Sequence, residues 1–203
     1  MPDALAPFSP ATQQWFRNAF GTPTAAQEGA WESISKGENA LIIAPTGSGK
    51  TLAAFLWALD ALYRDKSTEP DQRELTTSAQ AQKNGDARET QKTKKQRASG
   101  TRILYVSPLK ALGADVERNL RAPLAGIAHT AKESGRTPPD ITVGIRSGDT
   151  PAHERRQLIS NPPDILLTTP ESLYLMLTSA ARSTLTGVTT VIVDEVHALA
   201  GTK

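Results

Sequence analysis

An eight-residue run at positions 44–51, Ala-Pro-Thr-Gly-Ser-Gly-Lys-Thr, contains the residue types needed to hold a chain of phosphates. Gly47 and Gly49 would let backbone N–H groups crowd around the phosphates, and the N-terminus of the following helix would add partial positive charge. Lys50 would reach the β- and γ-phosphates, and the Thr51 hydroxyl would bind Mg²⁺. The run has alanine where the usual G-x-x-x-x-G-K-S/T pattern has its first glycine. It predicts a site for a nucleoside triphosphate.

Two carboxylates, Asp194 and Glu195, directly follow the apolar run 191–193. Asp194 would hold Mg²⁺ directly or through water, since Mg²⁺ prefers hard oxygen ligands. Glu195 would orient or deprotonate a water for in-line attack on the γ-phosphate. An acidic pair can also be an ordinary solvated strand end, but its combination with the run at 44–51 favours a hydrolytic site.

The elements that would position these residues alternate between apolar runs and helical patterns, as in repeated βαβ units. Strands are predicted at 40–44, 103–106, 141–145, 165–168 and 188–193. Helices are predicted at 24–35, 51–63, 110–121, 152–160 and 170–178. Near-continuous apolar strands predict an α/β fold with a mostly parallel sheet flanked by helices. Both groups of phosphate-site residues would then lie at the carboxyl ends of the strands.

Three details of the packing follow from residue types. We expect Thr169 to cap the last helix, with Pro170 in its first turn. Aromatic side chains near the start of the chain are expected to pack a core rather than stack a base; they are Trp15, Phe16, Phe20 and Trp31. The segment 65–100 has almost no aliphatic side chains and cannot bury enough surface to offset its ordering entropy. It is predicted to be a disordered insertion between two core elements.

Bulk composition narrows the function classes. The chain has 203 residues, which is enough for one α/β core, and it has no cysteine, which removes disulfide, thiolate and zinc-thiolate chemistry. Its formal net charge is only +2, so affinity for nucleic acid would have to come from a local surface. Without a signal peptide or an apolar run of membrane length, the sequence predicts a soluble, cytoplasmic protein.

Several segments together resemble a known superfamily. Residues 44–51 and 194–197 resemble motifs I and II of superfamily 2 helicases in the DExH form, in which alanine commonly replaces the first glycine. Residues 20–27, Phe-Gly-Thr-Pro-Thr-Ala-Ala-Gln, resemble the adenine-reading Q motif, with Gln27 in the recognition position. His197 completes the acidic motif and would couple the nucleotide site to the rest of the motor.

Further motifs narrow the resemblance to one family. Residues 105–112, Tyr-Val-Ser-Pro-Leu-Lys-Ala-Leu, resemble motif Ia, residues 168–173, Thr-Thr-Pro-Glu-Ser-Leu, resemble motif Ib, and residues 147–150, Ser-Gly-Asp-Thr, resemble a further strand-contacting motif. This combination is similar to the large helicase-related (Lhr) family of ATP-dependent helicases.

The resemblance implies a RecA-like P-loop domain over 39–203, incomplete at its C-terminus and preceded by amino-terminal helices over 1–38. It implies ATP and Mg²⁺ as cofactors, single-stranded DNA rather than RNA as partner, and a role in repair. The second RecA-like domain of such helicases is expected to be missing from this chain, so hydrolysis by the chain alone would be slow. Two alternatives stay open: an RNA helicase, and a nucleotide-gated nucleic-acid-binding module without turnover of its own.

The contacts implied by these motifs fall into two groups. The nucleotide and its metal would be bound by Gln27, Thr46, Gly47, Ser48, Gly49, Lys50, Thr51 and Asp194. A helicase must hold its strand by the phosphates, because base contacts would stop movement along arbitrary sequence. The phosphates would be held by Ser107, Lys110, Ser147, Thr168 and Thr169, with Arg118, Asn119 and Arg146 as further candidates. Each of these could instead be an ordinary helix cap or a solvated charge.

Overall fold

A parallel four-stranded sheet forms the centre of the computed structural model, which describes residues 3–68, 100–108 and 114–197. Its strands within these ranges are β1 (Ile103–Val106), β2 (Val143–Arg146), β3 (Ile165–Thr168) and β4 (Thr190–Val193). They lie in the order β2-β3-β1-β4, and every pairing is parallel. The predicted α/β fold with a mostly parallel sheet is confirmed.

Helices precede, connect and cover these strands. They are α1 (Pro10–Phe20), α2 (Ala25–Ser35), α3 (Lys50–Thr68), α4 (Ala114–Glu133), α5 (Ala152–Ser160) and α6 (Pro170–Leu177), followed by a 3₁₀ helix (Ala180–Leu185). The helices predicted at 24–35, 152–160 and 170–178 are confirmed to within one residue. Thr169 caps α6 as expected, with its side chain accepting a hydrogen bond from Ser172 N, and Pro170 is the first helical residue. None of the described helices is both long and apolar enough to cross a membrane.

The register of the sheet brings the ends of the strands together at one edge. Val106 at the end of β1 is level with Thr168 on one side and Val193 on the other, and Arg146 is level with Thr168. The residues that directly follow these positions therefore emerge at the same edge. This is the edge at which open α/β sheets bind ligands.

The strand predicted at 40–44 is wrong. Residues 38–45 have no regular secondary structure, and Leu41 and Ile43 are 73% and 86% exposed. A strand needs a neighbour for its backbone hydrogen bonds, and among the described residues this segment has none. The outer edge of β4 is likewise unpaired in the described chain, which pairs β4 only with β1.

The predicted start of the insertion, residue 65, is also wrong, because α3 continues to Thr68. The Lys66 ammonium donates to Asp164 Oδ2 at 2.8 Å and to the Asp140 carbonyl at 2.7 Å, and Arg102 forms an ion pair with Asp65 at 2.9 Å. Charged side chains thus tie the end of α3 to the amino-terminal side of the sheet. Residues 69–99 of the predicted insertion lie outside the described residues.

Helix α3 lies between two hydrophobic clusters. Phe55 and Leu59 face the sheet, in a cluster with Tyr105 and Ile165, whereas Leu56 lies in a second cluster with α1 and α2. The second cluster contains the buried side chains of Leu5, Phe8, Phe16, Trp31 and Ile127. Core packing of Phe16 and Trp31 is therefore confirmed, while Phe20 is 54% exposed and contacts the rings of Trp15 and Phe16. Helix α3, which begins at Lys50, is therefore packed on both sides.

Candidate functional site

The glycine-rich loop enters α3 in a conformation that requires glycine at two positions. Gly47 and Gly49 have φ angles of 82° and 80°, in the left-handed region that side chains disfavour. A Cβ at Gly49 would also lie 2.4 Å from Gln27 Nε2. Helix α3 begins at Lys50, so its unpaired N–H groups face the loop. The hydroxyl of Ser48 is buried and has no hydrogen-bond partner among the described residues, which suits a ligand that supplies an acceptor.

Lys50 folds back over the loop it follows. Its ammonium donates hydrogen bonds to the carbonyl oxygens of Ala44 and Pro45, the second at 2.8 Å. These are neutral acceptors, and a phosphate oxygen is a stronger, charged one. Lys50 is therefore held against the loop by partners that a phosphate could replace.

The segment that resembles the Q motif is bound to this loop. Thr24 and Gln27 form the capping box of α2. Thr24 Oγ1 also donates to the Ser48 carbonyl at 2.9 Å, and Gln27 Nε2 lies 3.4 Å from the Gly49 carbonyl. Gln27 is only 4% exposed. The structure therefore brings Gln27 to the glycine-rich loop, and its reading of adenine stays a prediction.

Asp194 lies at the carboxyl end of β4 and both of its carboxylate oxygens accept hydrogen bonds. Oδ2 accepts from the Tyr105 hydroxyl at 2.5 Å, and Oδ1 accepts from the backbone N–H of Glu195 at 2.9 Å. The Asp194 backbone N–H donates to the Val106 carbonyl at 2.9 Å, which extends the β1–β4 ladder by one bond. The carboxylate is held by both its own turn and the neighbouring strand.

Glu195 is in a conformation that non-glycine residues rarely adopt. Its φ of 51° makes it the one non-glycine residue with positive φ in the described part of the chain. This left-handed conformation costs about 1–2 kcal/mol, and such strain is concentrated at functional sites. The Glu195 side chain is half exposed, with its Oε2 3.3 Å from His197 Nε2. The turn therefore separates the two neighbouring carboxylates into an anchored one and an exposed one.

Sequence reasoning missed Tyr105, which reaches Asp194 from the centre of the sheet. Tyr105 is fully buried, and its ring stacks on Phe55 of α3 with centroids 4.8 Å apart. Burial raises the pKa of its hydroxyl, and the Asp194 carboxylate raises that pKa further, so the hydroxyl stays protonated and donates. One signal could have found it: a hydroxyl-bearing side chain in an otherwise apolar strand beside the one that ends in the acidic pair.

Among the hydroxyl-bearing residues predicted to hold nucleic acid, Thr168 and Thr169 are used by the fold. Ser107, Thr168 and Thr169 are each fully buried. Thr168 Oγ1 donates to the Arg146 carbonyl at 2.8 Å, and Thr169 Oγ1 caps α6. Lys110 lies outside the described residues. The structure thus places these motifs at one edge of the sheet, and their contacts to phosphate stay predictions.

Arg146 and the loop after it form a second cationic feature at this edge. Arg146 is 8% exposed, and its Nη1 is buried without a hydrogen-bond partner in the described part of the chain. Burial lowers the pKa of its guanidinium, and the charge of Arg155 lowers it further. Arg155 braces the half-buried Ser147 loop by donating to the carbonyls of Thr150 and Gly148 at 2.7 and 2.6 Å. Two cations thus lie near each other here, and neither forms an ion pair with a carboxylate of the described residues.

Comparison with known proteins identifies the family. The family model described as DEAD/DEAH box helicase matches residues 24–203, which include the glycine-rich loop and the acidic pair. The chain belongs to the DEAD/DEAH box helicase family.

Relatives within the helicases confirm the narrower resemblance to Lhr proteins. The chain is 57% identical over 201 residues to the Lhr helicase/probable uracil glycosylase of Mycolicibacterium smegmatis, covering 99% of this chain and 12% of that protein. It is 55% identical over 204 residues to the Lhr helicase/uracil glycosylase of Escherichia coli, covering 100% of this chain and 12% of that protein. The ATP-dependent helicase Lhr-Core of Sulfolobus acidocaldarius is 37% identical, with 99% and 20% covered. The chain therefore spans a small part of the length of these relatives.

Solved helicase structures have the same fold. The helicase Lhr of Mycobacterium smegmatis, solved with ssDNA and AMP-PNP, matches 98% of this chain and 22% of that chain with 56% identity and a TM-score of 0.79. The yeast DEAD-box splicing factor Prp28 matches 97% of this chain and 38% of that chain with 20% identity and a TM-score of 0.62. The RecA-like fold predicted for this helicase domain is confirmed.

Proposed function

We propose that this chain is the ATP-binding part of an ATP-dependent helicase that moves along single-stranded DNA. The observation that carries the proposal is the convergence of two separate elements on phosphate chemistry. The loop before α3 supplies glycines with positive φ and the Lys50 ammonium, and the end of β4 supplies two carboxylates in different settings. The structure of the Mycobacterium smegmatis Lhr helicase with AMP-PNP supports ATP as the nucleotide.

The side chains present fit Mg²⁺ as the metal of this site. Thr51, half-buried in the first turn of α3, offers a hydroxyl oxygen, and Asp194 offers a carboxylate. Each Asp194 oxygen accepts one hydrogen bond, and a carboxylate has about four lone-pair positions, so acceptor capacity remains for a cation or its waters. Hard oxygen ligands of this kind are those that Mg²⁺ prefers. Bound Mg²⁺ would neutralise charge on the β- and γ-phosphates.

The chain's own residues then divide the remaining work. Lys50 exchanges its carbonyl partners for phosphate oxygens, and the N–H groups at the start of α3 donate to the phosphates. Glu195, exposed and held out by its strained turn, orients the attacking water and accepts its proton. His197 lies next to the Glu195 carboxylate and would couple the nucleotide site to the rest of the helicase.

Single-stranded nucleic acid is the proposed partner at the same edge of the sheet. The buried guanidinium of Arg146 has no carboxylate partner among the described residues, and a phosphate would supply the missing counter-charge. The Mycobacterium smegmatis Lhr helicase was solved with ssDNA. Two relatives carry uracil glycosylase in their names, which favours DNA and a repair role over the RNA alternative.

Phosphate release by the 203-residue chain with and without single-stranded DNA tests the proposal. We expect slow hydrolysis by the unmodified chain and loss of most of that rate in Glu195→Gln, since the amide keeps the shape but cannot accept a proton. Glu195→Gln should bind ATP as tightly as the unmodified chain. Glu154→Gln, at an exposed position on α5, is the matched control and should hydrolyse normally. Equal rates in the two variants would contradict the role given to Glu195.

A further inference from the structure

Tyr105 joins three parts of the molecule that the nucleotide site depends on. It lies in β1, its ring stacks on Phe55 in α3, and its hydroxyl reaches Asp194 at the end of β4. Helix α3 begins at the phosphate-binding lysine, and β4 ends at the carboxylate proposed to bind the metal. Two residues after Tyr105, the chain reaches Ser107 at the edge where nucleic acid is proposed to bind.

Burying the Tyr105 hydroxyl costs desolvation free energy, and packing of the ring does not explain why a hydroxyl is present. Phenylalanine would fill the same space against Phe55, whereas a buried hydroxyl must be hydrogen-bonded to offset its desolvation. The donor–acceptor distance of 2.5 Å to Asp194 is typical of a hydroxyl donating to a charged carboxylate, which is stronger than a neutral pair. Because an ionised carboxylate can only accept, the Tyr105 hydroxyl is the donor in this bond.

Donation to one oxygen fixes the orientation of the whole carboxylate. Oδ2 faces the sheet, where Tyr105 holds it, and Oδ1 faces the Glu195 N–H. Without the Tyr105 hydroxyl, Asp194 would be held only by its own turn and could rotate about the bond between Cβ and Cγ. A carboxylate that can rotate freely binds a metal ion more weakly than one held in place, because metal binding must then restrict its orientation.

We propose that Tyr105 is a positioning residue whose hydroxyl aims the Asp194 carboxylate at the nucleotide-bound metal. The inference rests on the proposed function, since it concerns the same metal and nucleotide. It assigns to the centre of β1 a role in metal affinity that neither the glycine-rich loop nor the acidic pair supplies. Tyr105 would touch neither the nucleotide nor the metal.

The experiment compares nucleotide affinity with and without metal. Calorimetry would measure AMP-PNP binding in EDTA and in saturating Mg²⁺ for the unmodified chain and for Tyr105→Phe, which keeps the ring and its stacking. We expect similar affinity in EDTA, and a gain from Mg²⁺ that is about three- to tenfold smaller in the variant, the effect of one net hydrogen bond. Electron paramagnetic resonance of Mn²⁺ in place of Mg²⁺ should show the same weakening without depending on turnover.

Tyr63→Phe is the matched control. Tyr63 is 8% exposed, and its hydroxyl is buried without a hydrogen-bond partner among the described residues. Tyr63→Phe also removes a tyrosine hydroxyl, but from the cluster that α3 forms with α1 and α2. Its gain in AMP-PNP affinity from Mg²⁺ should therefore equal that of the unmodified chain. If Tyr105 served only packing, Tyr105→Phe would leave the gain in AMP-PNP affinity from Mg²⁺ unchanged, whereas Tyr105→Leu would reduce it.

The outcomes separate the two proposals. If the unmodified chain does not bind AMP-PNP in either buffer, the proposed function fails. If it binds and Mg²⁺ strengthens binding equally in Tyr105→Phe and the unmodified chain, the positioning role is overturned and the function stands. A Tyr105→Phe chain that is unfolded by circular dichroism would also overturn it, because the hydroxyl would then support the fold rather than the carboxylate.

Discussion

At the scale of single residues, the hydrogen-bond partners of buried charged side chains distinguish structural residues from candidate functional ones. Asp60 is fully buried and accepts hydrogen bonds from Ser9 N and Thr12 Oγ1 at 3.1 and 2.7 Å. Asp164 accepts from Lys66 and from both the backbone and the hydroxyl of Thr142, each at 2.8 Å. Because these carboxylates have hydrogen-bond partners within the protein, they stabilise the fold. Arg146 is also buried, at 8% exposure, and its Nη1 has no hydrogen-bond partner among the described residues, which is the pattern expected of a group that binds a ligand.

Replacing Arg146 by alanine therefore has opposite expected effects on binding and stability. Single-stranded DNA should bind more weakly at every sequence, and the slope of log affinity against log salt should fall by about one phosphate contact. The free energy of unfolding should stay the same or rise, because an unpaired buried charge is removed. Fluorescence anisotropy at several salt concentrations and urea denaturation measure the two. Arg182→Ala, in the 3₁₀ helix, is the control; a variant of Arg146 that loses stability but keeps its DNA affinity would make the arginine structural.

Asp164 is expected to show the reverse pattern. Asp164→Ala leaves the Lys66 ammonium and the Thr142 N–H without their partner, and should lower the free energy of unfolding by about 2–4 kcal/mol. AMP-PNP binding should be unchanged in the folded variant, because Asp164 precedes β3 at the opposite end of the sheet from the candidate site. Urea denaturation provides the measurement. Asp3→Ala removes an exposed ion pair with Arg17 and should lower the free energy of unfolding far less; equal costs for the two variants would contradict the role of burial.

At the scale of elements, the sequence predicted the bounds of those helices and strands that depend mainly on neighbouring residues in the chain. The caps and the apolar periodicity placed α2, α5 and α6 to within one residue, and β1 and β3 agree with their predicted bounds. The strand prediction at 40–44 was wrong for a different reason. A buried strand needs an apolar run, but its pairing depends on a neighbouring strand that the run itself does not specify. The end of α3 was misplaced because Asp65 and Lys66 belong to a polar composition that resembles a linker, while their partners, Arg102 and Asp164, are distant in sequence.

Deletion of 69–99 tests the revised boundary of the insertion. The ion pair of Asp65 with Arg102, 2.9 Å long, shows that the chain leaves and re-enters the described fold at nearby points. A short Gly-Ser linker should therefore span the gap, and stability should change little because loop-closure entropy varies slowly with length. Extending the deletion back to residue 65 removes Lys66 from Asp164 and should lower the denaturation midpoint. Equal midpoints for the two deletions would show that the last turn of α3 contributes nothing.

At the scale of the whole molecule, the sequence predicted the fold and the chemical centre better than the connections between them. The glycines at 47 and 49, Lys50 and the pair at 194–195 are short motifs whose chemistry is local, and the family match includes them all. The bond from Tyr105 to Asp194 joins residues 89 positions apart and appears only when β1 and β4 are paired. The burial of Thr168 and Thr169 is likewise a result of packing. With a net charge of +2, the chain has no strong overall field, so the proposed affinity for DNA would have to come from local groups such as Arg146.

Binding of AMP-PNP with Mg²⁺ to this chain, followed by calorimetry, tests the central claim most directly. We predict one saturable site in the unmodified chain and at least about tenfold weaker binding in Lys50→Ala, which loses the ammonium that exchanges the Ala44 and Pro45 carbonyls for phosphate. Lys36→Ala, which removes an exposed lysine paired with Glu32, should bind like the unmodified chain. Absence of binding by the unmodified chain, or equal affinity in Lys50→Ala and Lys36→Ala, would contradict the assignment of the loop before α3 as an ATP site.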